Sequence, residues 1–157
     1  MALALAVSAC AAPTVQEEIR DLNESFQINE VEDGVFVARG DRLSWGSSPV
    51  RGRQVADSFV RRIGSELKAR GHRFLKFEGL LQKTSRGRFV SSTGRELIAV
   101  ARVADEADPE NGFASVDAPL EALSLYAEER QKLPYLEGRR RDTQFAKKWK
   151  LCPRGCN

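Results

Sequence analysis

Apolar residues recur at helical spacing through the middle of the chain. Val55, Ala56, Phe59, Val60, Ile63 and Leu67 form one stripe, while Arg53, Asp57, Arg61, Arg62, Glu66 and Lys68 lie away from its centre. Ser48 is placed to be the N-cap of this helix, Pro49 suits its first position, and Gly71 suits its end. Upstream, Thr14 followed three residues later by Glu17 is a capping-box pattern, and Val15, Ile19, Leu22 and Phe26 share a helical face. That stretch reads as a short helix or as a tether. Phe26 and Ile28 alternate with polar neighbours, Glu32-Asp33-Gly34 offers a turn, and Val35-Phe36-Val37-Ala38 reads as a strand, so a hairpin is expected. The tract Gly40 to Ser48 reads as a loop.

Beyond the long helix, Arg73 to Leu81 carries Phe74, Leu75, Phe77, Leu80 and Leu81. Leu97 to Val103 is the most sheet-like run of the chain. An acidic loop, Asp105 to Asn111, separates these strands from a second helix expected near Pro119 to Lys132, started by Asp117 and broken by Pro134. A basic segment with a short amphipathic piece around Phe145 and Trp149 follows. The pattern predicts an α+β domain: a small antiparallel or mixed sheet packed against one long amphipathic helix, with additional C-terminal helices. At 157 residues with 41% hydrophobic and 30% charged residues, one domain is expected over 26–157. No stretch reaches the roughly 20 apolar residues that a membrane-spanning helix requires.

Charge changes this picture because it comes in blocks. Residues 10–50 hold 3 basic and 8 acidic residues, 51–102 hold 13 and 4, 103–137 hold 2 and 9, and 138–157 hold 7 and 1, within a net charge of +3. Blocks of alternating sign either neutralise one another in the fold or leave a basic face exposed. The segment with Arg139, Arg140, Arg141, Lys147, Lys148, Lys150 and Arg154 is the candidate contact for a polyanion. Near a charged membrane each basic residue contributes about 1 kcal/mol.

At the start of the chain, small and apolar residues lead into Val7-Ser8-Ala9-Cys10, followed by Ala11-Ala12-Pro13. This stretch resembles a bacterial lipobox. The resemblance covers the first thirteen residues and implies cleavage before Cys10 and a diacylglycerol on its thiol. Residues 1–9 then read as a signal peptide truncated of its basic head, since no Lys or Arg precedes Arg20, and 10–25 as the lipidated cysteine with its tether or short helix. The alternative is an Ala-rich helical start of a cytosolic protein. Strand, long helix and strands behind a lipidated cysteine are similar to small uncharacterised envelope lipoproteins of Gram-negative bacteria. Within that resemblance Ala11, in place of Asp, implies the outer membrane facing the periplasm.

Acylation of Cys10 would leave two cysteines, Cys152 and Cys156, with Pro153 and Gly155 favouring a turn between them. In an oxidising envelope they are expected to close a small disulfide loop that pins the tail; free thiols or a redox or metal pair are the alternatives. No catalytic or metal motif stands out. Ser65-Glu66-Leu67-Lys68 matches S-x-x-K, but its serine falls late in a helix and the accompanying S-D-N element is absent. His72 is the chain's one histidine, and the acidic run Asp105, Glu106, Asp108, Glu110 lacks EF-hand spacing. Ser47 and Ser48 at the head of the long helix, near Arg42, Arg51 and Arg53, form a candidate anion site with Trp45 as a stacking neighbour.

The expected function is therefore that of a non-catalytic, cofactor-free envelope lipoprotein held to the membrane by its lipid. Its domain would bind a protein partner or an anionic envelope polymer. The alternative is a cytosolic nucleic-acid-binding module using residues 51–102 and the basic C-terminal segment.

Overall fold

A computed structural model describes residues 14–44, 49–86, 93–118 and 134–151. The chain runs α1 (Val15–Glu24), β1 (Gln27–Glu32), β2 (Val35–Ser44), α2 (Pro49–Ala69), β3 (Phe74–Arg86), β4 (Thr93–Ala104), β5 (Ala114–Ser115) and α3 (Tyr135–Lys148). The five strands form one sheet in the order β1-β2-β4-β3-β5, antiparallel at every pairing, so the mixed alternative does not apply. The fold is α+β, as the pattern predicts.

The sheet is covered on both faces. Phe36 and Ala38 of β2, Leu97, Ala99 and Ala101 of β4, and Leu75 and Phe77 of β3 pack with Leu22 of α1 and with Val55, Phe59, Val60, Ile63 and Leu67 of α2. On the other face Val35, Val37, Ile98 and Val100 meet Phe145 and Ala146 of α3, then Trp149 and Leu151. Double coverage explains why Val35–Ala38 and Leu97–Ala101 are unbroken apolar runs, since a strand buried on both sides has no solvent-facing positions to fill with polar residues.

Two elements differ from the expectation. Residues 40–44, expected in a loop, continue β2 and pair with β4 down to Ser44 opposite Thr93. A glycine and three polar residues among the five hid the strand, yet its backbone groups have a full ladder to join. The amphipathic piece around Phe145 is the end of a 14-residue helix, α3. In β3 the register shifts between Phe77 and Gly79. One extra residue there reverses the parity of the strand, so Leu75, Phe77 and Leu80 share the α1/α2 face and Leu81 reaches the α3 face. The bulge also lays Gly79 directly under Phe145, whose ring would stand 2.7 Å from a Cβ at that position.

Helix ends follow their sequence signals. Gly71, at φ 93°, closes α2 as a Schellman motif: its N–H donates to Lys68 O at 2.9 Å, and the His72 N–H to Leu67 O at 3.0 Å. At the head of α1 the Thr14 N–H donates to Glu17 Oε2 at 2.6 Å, and the Glu17 N–H to Thr14 Oγ1 at 3.2 Å. The backbone bond from Thr14, then the contact with its hydroxyl, hold the Glu17 carboxyl below the ordinary glutamate range. A depressed folded-state pKa stabilises above the unfolded value and is lost as pH falls through the folded one. Thermal midpoints followed into acid should therefore show wild type ahead of Glu17→Ala at neutral pH, with the gap narrowing once Glu17 protonates.

Candidate functional site

Part of the central basic block is engaged within the fold. Lys68 Nζ lies 2.7 Å from Asp117 Oδ1, Arg70 is 3.2 Å from Glu66, and Arg102 is 3.1 Å from Glu78. Arg62 stacks over Phe26 at 5.2 Å, Arg73 over Phe74 at 5.4 Å and Arg70 over Phe36 at 5.8 Å. Arg39, from the neighbouring acidic block, lies 2.8 Å from Glu96 Oε1 and also donates to the Leu151 carbonyl at 3.0 Å. These exposed and half-exposed pairs are each worth about 0–1 kcal/mol. Their larger consequence is that Arg62, Lys68, Arg70, Arg73 and Arg102 of 51–102 meet negative charge or aromatic faces within the same molecule.

The C-terminal helix is different. Phe145, Ala146 and Trp149 turn toward the sheet, whereas Leu136, Arg140, Thr143 and Lys147 follow one another at spacings of four, three and four on the opposite side. With Gln144 they line an open groove of about 490 Å³. Arg140 and Lys147 are exposed, as is Lys150 beyond the helix end, and these three make no ion pair among the described residues. Leu136 is 74% exposed. Lys148 instead lies over the Trp149 ring at 4.9 Å, and Arg141 is half-buried and engaged. Arg139 lies in the helix, its side chain outside the described residues.

Local folding fixes this surface. Trp149 and Leu151 are both buried against the sheet, which forces the chain to reverse sharply between them. Lys150 takes φ 52°, its N–H donates to Lys147 O at 3.2 Å, and the Leu151 N–H donates to Ala146 O at 2.9 Å. This is a Schellman end with lysine in the left-handed place that glycine usually fills. Such a conformation costs about 1–2 kcal/mol in a residue with a Cβ, offset here by two buried apolar side chains. Lys147 and Lys148 in the last turn also complement the negative end of the helix dipole.

No family model, curated protein or solved structure matches this chain. The site therefore rests on its own geometry.

The other expected sites are placed as follows. Cys10, Cys152 and Cys156 lie outside the described residues, as do Ser47 and Ser48. Arg51 is in the first turn of α2 with its side chain outside the described residues, and Arg53 is exposed. The helix expected over 119–132 also lies outside them. His72 packs edge-on against Phe36, with ring centroids 5.2 Å apart. Ser65 is exposed on α2, and Lys68 of the same tetrapeptide is held by Asp117. Asp108 accepts from the Asn111 N–H at 3.2 Å and from its side-chain amide at 2.7 Å, closing the acidic loop on itself. Among the described residues no group of three His, Cys, Asp or Glu is arranged to hold a metal ion, and no helix is long and apolar enough to cross a membrane.

Sequence reasoning missed the Arg39, Glu96 and Leu151 arrangement, which ties the chain after α3 to the sheet. Its signal, an arginine next to an apolar strand run with a glutamate at the head of another, becomes readable once the β2/β4 register is known.

Proposed function

We propose that the protein is a non-catalytic, membrane-anchored envelope lipoprotein whose α+β domain meets an anionic envelope surface through the outer face of α3. The anchor is supported by the lipobox-like Val7-Ser8-Ala9-Cys10. The contact surface is supported by one observation above the rest: Arg140, Lys147 and Lys150 are exposed with no ion pair among the described residues, while Lys68, Arg70 and Arg102 of the central block each meet a carboxylate. Charges already paired within the fold have less left to offer a partner, whereas Arg140, Lys147 and Lys150 stay open to solvent.

Two measurements test this reading. An intact mass of the protein from its native host should begin at Cys10 with added acyl mass, and membrane association should survive high salt, because acyl chains hold by burying CH₂ groups. Retention of the full chain on immobilised polyphosphate should fall about 30-fold in Arg140→Ala/Lys147→Ala, on the basis of about 1 kcal/mol per basic residue. Unchanged retention would remove α3 as the contact surface. An unacylated chain that binds duplex DNA with a steep salt dependence would replace the envelope reading by the nucleic-acid one.

A further inference from the structure

The outer stripe of α3 carries more than charge. Leu136 opens it at 74% exposure, one turn before Arg140, and the groove continues along Thr143 to Lys147. A surface built for a fully hydrated polymer gains nothing from a bare leucine among cations. A helix lying in a membrane interface gains from both: the apolar side chain enters the boundary between head groups and acyl chains while Arg and Lys reach lipid phosphates through flexible stems. Resting on the proposed envelope reading, we infer that α3 docks on an anionic phospholipid bilayer, with Leu136 inserted and Arg140 and Lys147 at the phosphates.

The geometry suits this task. Phe145, Ala146 and Trp149 fix the inner side of the end of α3 to the sheet, and Arg39 holds the carbonyl of Leu151, so the outer side is turned away from the sheet. The lipid anchor would lie on the same membrane, which turns docking of the domain into an intramolecular event and lets a weak surface suffice.

The test uses the full chain carrying Cys10→Ser, so that no acyl chain contributes, and vesicles of phosphatidylcholine with or without phosphatidylglycerol. Binding is expected to the anionic vesicles and to fall about tenfold or more in Leu136→Asp, the scale of burying one leucine side chain. Leu136→Phe should retain it, and Arg140→Glu/Lys147→Glu should abolish it. All three sites are exposed, and circular dichroism checks that each variant folds. If Leu136→Asp binds like wild type while the charge reversal still abolishes binding, insertion is overturned and the polyanion surface stands. If the protein binds polyphosphate but no vesicle, the bilayer is overturned as the partner. If it binds neither, the proposed function falls with the inference.

Discussion

Phe59→Ala is expected to destabilise the domain by about 3–5 kcal/mol, the range for truncating a buried aromatic residue. Phe59 is fully buried near the middle of α2. Its ring meets Phe26 edge-on, with centroids 5.9 Å apart, and stands 3.3 Å from where a Cβ on Gly40 would lie. It thus touches the segment after α1 and approaches the backbone of β2 from its own helix, so three elements lose a shared neighbour at once. The aromatic pair adds about 0.5–1.5 kcal/mol beyond buried area. Gly40 has no side chain to move into the gap. Urea unfolding should show the midpoint shifted with the slope preserved. A loss under about 1 kcal/mol would mean that α2 does not seat on the sheet as described.

Much of this packing was legible in the sequence, for a physical reason. The stripe from Val55 to Leu67 has the period of a helix over three turns, and Pro49 and Gly71 mark its ends by backbone constraints that operate before any tertiary contact forms. The Thr14 and Glu17 box and the Asp33-Gly34 turn are equally local. What escaped notice depends on partners distant in sequence. Residues 40–44 look like loop until β4 supplies their ladder, and the parity change at Glu78 is invisible without the register of β3 against β4. The length of α3 was hidden by Gly138 and three consecutive arginines, which interrupt any apolar period, so its apolar contacts gather near its end. The candidate surface was half legible: the sequence shows a basic block, but only the fold separates Arg140 and Lys147, which face outward, from Lys148 on Trp149 and the half-buried Arg141.

Trp149 carries the second large effect. It is buried where α3 ends against the sheet, and its indole Nε1 has no hydrogen-bond partner among the described residues. Trp149→Ala should cost about 3–5 kcal/mol by loss of volume. Trp149→Phe should cost much less, since it keeps a ring beneath Lys148 and removes a buried unpaired donor whose desolvation penalty is about 1–3 kcal/mol. That ordering separates packing from hydrogen bonding as the source of the anchor: if the phenylalanine variant were as unstable as the alanine one, the indole N–H would need a partner. The alanine variant should also lose hydrogen-exchange protection first in α3, while β2 and β4 stay protected by α1 and α2 on the opposite face. A freed α3 no longer holds Leu136, Arg140 and Lys147 on one face turned away from the sheet. Binding to anionic vesicles should therefore weaken although none of those three residues has changed, which makes Trp149 a positioning residue for the surface as well as a core residue for the fold.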